Sequence, residues 1–236
     1  MPSSWEERSE GQLLYILHCL GRGVPPDRVQ VYAFLRFAGL AVVDWQGEEG
    51  DALMVRRGRK VFALSRRDIC LGAMELDFIR SAPEVPMRPS SWKGAPAVDR
   101  ALHGVPFGEY LQMENFFQRY LADPQAGLLF ELARLLYPGI DSDALTGELK
   151  YVIVHWLTGL KMYFARLFPD LFRPAAQDGD NGSDGLREAM LAQIRALTAG
   201  DVTKEHAVLN VDTWTALAEL NAKAREAREL ERIYKK

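Results

Sequence analysis

Histidine, cysteine and serine side chains build many catalytic and metal-binding sites, and in this chain they are scattered. The four histidines are His18, His103, His155 and His206, and none has a second ligand at a metal-binding spacing such as HEXXH. No serine stands in a GxSxG nucleophile elbow. The two cysteines lie in apolar surroundings, which favours buried thiols in a reducing compartment over a disulfide framework. The pattern therefore predicts no catalytic residue, no metal site and no cofactor.

Two groups of neighbouring carboxylates have structural explanations. Glu48, Glu49 and Asp51 fall in a predicted hairpin turn. Asp141 and Asp143 precede a predicted helix, where the positive end of the helix dipole favours anionic side chains. We therefore expect no enzyme, since an active site would have to be assembled from residues far apart in the chain.

A basic cluster is the strongest functional signal in the residues themselves. Six basic residues fall within twelve positions, namely Arg56, Arg57, Arg59, Lys60, Arg66 and Arg67. Two predicted helices followed by short strands resemble a winged-helix arrangement, whose wing tip would be 57–59 and could contact phosphates. In the alternative interpretation, these residues protect an exposed strand edge and pair with the acidic turn at 48–51. The first 100 residues hold 14 basic and 13 acidic residues, so they indicate no broad positive face.

Composition limits the class of protein further. The chain has 236 residues, of which 48% are hydrophobic and 26% charged, as is ordinary for one large globular domain or two small ones. A net charge of −3 and a pI near 5.9 disfavour a protein coated in nucleic acid. The acidic, polar start lacks the basic and apolar stretches of a signal peptide, so we expect a cytoplasmic location.

The densest apolar run is 149–172, and the predicted helices after residue 107 are arranged around it. Its length is near that of a membrane span, but His155, Lys161 and Arg166 interrupt the run. Because it is apolar on nearly all sides, the run predicts a helix packed within the protein rather than in a membrane.

The first part of the chain predicts a small α+β domain, residues 1–95. Two short helices, at 12–20 and 28–37, precede three strands of an antiparallel meander, written LAVVDW, ALMVRR and KVFALS. Ser65 and Asp68 form a capping-box pattern that starts a helix reaching residue 80. Six residues supply its predicted buried side: Ile69, Leu71, Met74, Leu76, Phe78 and Ile79.

A proline-rich linker begins at about residue 81, and Trp92 within it is expected to dock on a domain surface. Beyond it, residues 106–236 predict a helical-bundle domain, with a mobile polar loop at 173–184. A charged helix, 213–234, ends the chain. The fold class is therefore mainly α, with a small α+β part at the N-terminus.

The last helix carries a narrow apolar seam on an otherwise charged surface. Its proposed contact residues are Trp214, Leu217, Leu220, Ala224 and Leu230. A narrow seam suits one partner surface, either a second copy of the chain or another protein. On this interpretation, replacing Leu217 and Leu220 by aspartate would abolish binding and leave the body folded. In the alternative interpretation, the helix folds back on its own body.

Motifs in the C-terminal part support one family resemblance. An E-N-x-(F/Y)-Q-x-Y helix precedes an L-x-x-L-A-x-L-L-Y-P helix, and the motifs G-D-(I/V)-T and L-N-A-K follow. The matching residues are Glu114, Asn115, Phe117, Gln118, Tyr120, Leu129, Leu132, Ala133, Leu135, Leu136, Tyr137 and Pro138, then 200–203 and 220–223. Over roughly residues 100–236 the chain resembles a family of uncharacterised proteins encoded in prophage-like regions of Bacteroides-type bacteria.

The resemblance implies a biological role for the protein, but it implies no reaction and no catalytic residue. It suggests a phage tail assembly factor, a chaperone-like binder of a helical client such as the tape-measure protein. Together with the scattered chemical groups, it predicts a non-enzymatic assembly or protein-interaction factor, with a protein partner or self-association and no membrane contact. The alternative is a nucleic-acid-binding protein that uses the basic N-terminal cluster.

Overall fold

The fold is mainly α with one small antiparallel sheet, as the sequence predicts. The structure is a computed structural model that describes residues 1–46, 52–172 and 183–234. The helices are α1 (Glu10–Gly21), α2 (Pro26–Phe37), α3 (Arg66–Met74), α4 (Phe107–Ala122), α5 (Ala126–Leu136), α6 (Gly147–Leu167), α7 (Ser183–Thr198), α8 (Glu205–Leu209) and α9 (Thr213–Tyr234). The strands are β1 (Ala41–Gln46), β2 (Ala52–Arg57), β3 (Lys60–Ser65), β4 (Ser91–Trp92) and β5 (Ala95–Pro96).

The predicted three-stranded meander is confirmed. Its strand order is β1-β2-β3, with antiparallel pairing throughout. Gly58, at φ 60°, takes the first position of the two-residue loop between β2 and β3, where only glycine adopts a positive φ without cost. Leu53 and Val55 of β2 point into a small core with Leu35 of α2 and Ile69 of α3. One face of the sheet is therefore covered by helices.

Helix α3 is shorter than predicted and buries different residues. Its start is confirmed, since Ser65 and Asp68 form the capping box. The helix ends at Met74, and both Leu71 and Met74 are exposed, so the prediction that they are buried is wrong. The reason is the contact with α2, where a Cβ on Gly72 would lie 2.1 Å from an atom of the Phe34 ring. A glycine and its neighbouring alanine form this interface, so the larger side chains on either side point to solvent.

The run at 149–172 forms a core helix, as predicted. Trp156 of α6 is fully buried, and its indole Nε1 donates a hydrogen bond to the Arg100 carbonyl at 2.7 Å. On α6 a buried stripe faces the other helices and consists of Leu149, Val152, Ile153, Trp156, Leu157, Leu160 and Phe164. In the part of the chain that the structure describes, no helix is long and apolar enough to cross a membrane.

The main hydrophobic core extends across the predicted proline-rich linker. It joins Leu13 and Leu17 of α1 to Leu160 of α6. Trp92 docks as predicted, because its Nε1 donates to the Ala144 carbonyl at 3.1 Å. The helix α1 therefore packs in the same core as the C-terminal helices, and only the sheet with α2 and α3 has a separate cluster. The division into domains at 1–95 and 106–236 stays a prediction, and ten residues of the predicted mobile loop, 173–182, lie outside the described residues.

Candidate interaction surface

The start of α9 is held firmly on the body. Asp212 caps the helix through Oδ1, which accepts from the N–H of Trp214 at 3.0 Å and of Thr215 at 3.3 Å. The Trp214 indole donates to the Ala101 carbonyl at 2.7 Å, and its ring stacks on His103 with centroids 4.3 Å apart. These contacts fix the first turn of α9 against the loop that follows the linker.

Two further contacts hold α9 along its length. Asn221 Oδ1 accepts from the backbone N–H groups of Asp170 at 2.8 Å and Leu171 at 3.1 Å. Two helical turns further on, Arg228 forms an ion pair with the Asp170 carboxylate. The middle of α9 is therefore held to the turn that follows α6, as far as Arg228.

The predicted partner seam on α9 is largely part of the protein's own core, which corrects the sequence interpretation. Leu217 is 0% exposed, Leu220 is buried and Trp214 packs against the core. Ala224 is half-buried, and only Leu230, at 55% exposed, is free to meet another molecule. A narrow apolar stripe shows that a helix has one buried face, but it does not identify the surface that buries it. Partner contact at Leu230 stays a prediction.

The predicted basic cluster is exposed at every one of its positions. Arg57, Arg59 and Lys60 surround the tip of the β2–β3 hairpin, and Arg56 lies one residue before it. Two more basic residues follow β3 in the first turn of α3, namely Arg66 and Arg67. The predicted acidic partners Glu48, Glu49 and Asp51 lie outside the described residues. Basic side chains therefore flank both ends of β3, and at its C-terminal end the Asp68 carboxylate lies beside them, accepting from the Ser65 hydroxyl.

Strand β3 is a regular edge of the sheet. Among the described residues it pairs only with β2, over all six of its positions and without a register shift. The opposite edge, β1, has a bulge between Val42 and Asp44. Bulges are one device by which proteins disrupt an edge against further pairing, so the two edges of this sheet differ in their capacity to accept another strand.

Four large apolar side chains are exposed on β3 and on the helix α3 that follows it. Val61 of β3 is 53% exposed, and its neighbour Phe62 is 39% exposed although it lies across from the fully buried Val55. Leu71 and Met74 of α3 are also exposed, one helical turn apart. We call the exposed part of β3 with these two α3 residues the β3 surface. Exposed apolar side chains with charged neighbours are a common feature of protein contacts.

The sequence interpretation missed Val61 and Phe62, although a signal was present. Residues 61–64 are four consecutive apolar residues, whereas a strand with one covered face alternates apolar and polar side chains. Since only one face of this sheet has a helical layer, some of the four had to be exposed. That departure from alternation would have indicated a surface strand with apolar side chains.

A cleft lies between the N-terminal segment, the linker and α6. It has a volume of about 510 Å³, and its polar lining is Glu6, Asp99, Arg100, His103 and Tyr163. Burial acts to raise the pKa of Asp99, but the N–H groups of His103 and Ala101, which donate to its Oδ1, outweigh that effect and lower the pKa. Asp99 is thus an ionised cap of a turn, which explains its position without catalysis.

No group of three or more histidine, cysteine or acidic side chains that could hold a metal occurs within the described ranges 1–46, 52–172 and 183–234.

Two ionisable side chains are buried where the N-terminal segment crosses α6. Arg8 is 8% exposed, its Nε and Nη2 have no hydrogen-bond partner, and burial lowers its pKa to about 10. His155 packs against the Trp5 ring at 4.3 Å, and its Nε2 is buried without a partner. Burial, and then the Arg8 charge, lowers the pKa of His155 to about 3. The folded protein therefore holds His155 neutral.

This neutral histidine predicts an acid-sensitive fold. The unfolded chain takes up a proton at His155 below its usual pKa of 6.5, whereas the folded protein does not, so stability is complete above that pH and falls below it. We expect the site to contribute a loss of about 2 kcal/mol in unfolding free energy between pH 7 and pH 5. Urea unfolding of the wild type and His155→Gln at both pH values measures the difference.

The matched control for this experiment is His206→Gln, because His206 is exposed on α8. The control variant is expected to keep the pH dependence of the wild type, while His155→Gln loses the His155 part of it. Equal pH dependence in all three proteins would show that His155 titrates normally in the folded state.

Comparison of the chain with protein-family models, with curated proteins and with solved structures found no match. The prophage-family resemblance therefore stays a prediction.

Proposed function

We propose that this protein is a non-enzymatic interaction factor that binds a partner protein through the β3 surface. The observation that carries the proposal is the regular, exposed edge of β3 with Val61 and Phe62 on it. An unpaired edge presents a row of N–H and C=O groups that another extended chain can satisfy. Apolar side chains beside those groups add affinity when the partner covers them.

The proposal keeps the assembly role expected from the sequence but moves its location. The prophage setting suggests a tail protein, such as the tape-measure protein, as the client, and we propose that client class here. The contact lies on the N-terminal sheet rather than on the α9 seam, since Leu217 and Leu220 already pack in the core. Self-association is the second form that such an interaction factor can take.

The test compares one pair of apolar-to-serine changes on each of the two edges of the sheet. We expect Val61→Ser with Phe62→Ser to weaken partner capture at least about ten-fold, because half-exposed apolar area no longer becomes buried in the complex. Tagged wild type and variant are used for capture from a prophage-induced lysate treated with nuclease, and the proteins are quantified by mass spectrometry.

The matched control is Val42→Ser with Val43→Ser, which removes two exposed apolar side chains from the bulged edge β1. Proteins that this variant retains and the β3 variant loses are the partners that the proposal requires. If both variants, or neither, lose the same proteins, the β3 edge is not the contact and the proposal is wrong.

Nucleic-acid binding is the second candidate, because all six basic residues of the cluster are exposed. The same capture experiment separates the two functions. Proteins that co-purify only without nuclease indicate binding through nucleic acid, and the relevant residues are then Arg56, Arg57, Arg59, Lys60, Arg66 and Arg67. Direct binding of duplex DNA would fall steeply with salt, since phosphate contacts release counterions.

A further inference from the structure

We infer that the β3 edge accepts an extended segment of another protein with acidic residues at its two ends and apolar residues at its centre. This inference rests on the proposed function and adds the chemistry of the partner to it. Three observations carry it, namely the regular edge, the apolar centre of β3 and the positive charge at both of its ends.

The geometry of β3 determines the length of the bound segment. Six residues of strand extend for about 20 Å, so a partner of about six residues can pair along the whole edge. The register with β2 is uninterrupted from Arg57 opposite Lys60 to Ala52 opposite Ser65. Strand β3 therefore has no bulge that would prevent another strand from pairing with it. Because β1 is bulged near Val42, the same addition is disfavoured on that side.

The basic residues beside β3 determine which charge is favoured at the two ends of the partner segment. Arg57, Arg59 and Lys60 lie at the beginning of β3, and Arg66 and Arg67 lie just past its end. A strand laid along this edge places its own two ends beside these basic groups. Opposite charges directly across a sheet stabilise the pairing and like charges oppose it, so acidic ends are selected.

The same charges disfavour a second copy of this chain as the occupant. If two β3 strands paired antiparallel through their centres, Arg59 of each copy would approach Arg66 of the other. A parallel pairing would place Arg59 beside its own counterpart. Both arrangements bring basic groups together at each end of the strand, so self-pairing at β3 is opposed electrostatically.

The apolar centre favours a protein segment over nucleic acid. Val61 and Phe62 lie between the two basic ends and are exposed. A phosphate backbone would neutralise the ends but would leave these side chains without an apolar contact. A strand paired at this edge places its own side chains beside Val61 on one face of the sheet and beside Phe62 on the other, and it also satisfies the N–H and C=O groups of the edge.

The test uses the full-length protein and three labelled synthetic peptides in fluorescence anisotropy. The probe has the order Glu-Glu-Val-Thr-Val-Thr-Val-Thr-Glu-Glu, the second peptide replaces all four glutamates by lysine, and the third places proline at the central threonine. We expect the probe to bind at least about ten-fold more tightly than either of the other two, because one lacks the charge match and the other cannot pair as a strand.

A charge-reversal variant tests whether the basic residues at the hairpin tip cause the preference for the glutamate probe. Arg59→Glu with Lys60→Glu changes two exposed residues at the hairpin tip and is expected to reduce the preference for the glutamate probe over the lysine peptide by at least about ten-fold. Hydrogen exchange of the complex is expected to show protection at 60–65. Protection located elsewhere would overturn the inference.

The remaining outcomes separate this inference from the proposed function. If the lysine peptide binds as tightly as the glutamate probe, or the probe does not bind up to about 1 mM, the acidic-strand inference is wrong. The proposed function is decided separately, by whether the β3 variant loses proteins that the Val42→Ser, Val43→Ser variant retains.

Discussion

Leu217→Asp is expected to unfold the whole protein rather than to free a partner-binding helix. Leu217 is 0% exposed, and it packs in the main core with Ala216 and Leu220 of the same helix. A carboxylate there would be buried without a partner or would have to bind a proton, and the lost apolar contacts add to that cost. We expect a loss of at least about 4 kcal/mol in unfolding free energy. Urea denaturation followed by circular dichroism measures it.

The matched control for this change is Leu230→Asp, on the same helix and of the same residue type. Leu230 is 55% exposed, so a charge there remains in water and the unfolding free energy is expected to change by less than about 0.5 kcal/mol. A Leu217→Asp protein that is as stable as the Leu230→Asp protein would show that α9 does not pack on the body. The original partner-seam interpretation of α9 would then be restored.

Gly159→Ala is expected to be the second most damaging change, although alanine is the better helix former. A Cβ at Gly159 of α6 would lie 2.1 Å from the Val85 carbonyl oxygen and 2.7 Å from its carbonyl carbon. The obstructing atoms are backbone, so no side-chain rotation relieves the overlap and the linker has to move. We expect a net loss of about 2 to 3 kcal/mol in unfolding free energy, with faster proteolysis in 81–98 because the linker no longer docks on α6.

Gly127→Ala in α5 provides the control for the helix-propensity effect. A Cβ at Gly127 would meet nothing within 4 Å, so the substitution is expected to stabilise the protein by up to about 1 kcal/mol. Opposite signs for the two variants would isolate the contact between α6 and the linker. A stabilised Gly159→Ala protein would contradict the close approach of Val85.

Local features of the fold follow closely from the sequence. The capping box of Ser65 and Asp68 forms as predicted, since its hydrogen bonds involve residues only three apart. The hairpin turn at Gly58 follows from the conformational freedom of glycine. The central helix α6 could be identified because it is apolar on several sides, which only a surrounding protein core explains.

The sequence was less successful in predicting whether the apolar side chains of a helix face the core, solvent or another molecule. For the α9 seam the sequence left two neighbours open, another molecule or the chain's own body, and in the structure Leu217 and Leu220 face the core of the same chain. On α3, Leu71 and Met74 were assigned to the core, but they face solvent because Gly72 allows α2 to approach. On α9 the apolar stripe was identified correctly and only its neighbour was left open, whereas on α3 both the end of the helix and its buried side were predicted wrongly.

The sequence alone therefore determined the mainly helical class, the meander and the core position of α6, because hydrophobic period, caps and turns act within a few residues. Only the tertiary structure decided that α9 folds back on the body of the protein and that β3 is an exposed, regular edge. Those features depend on contacts between residues tens of positions apart, such as Asp170 with Asn221. Periodicity identifies an apolar face, whereas packing of distant segments decides whether that face is covered or left free for a partner.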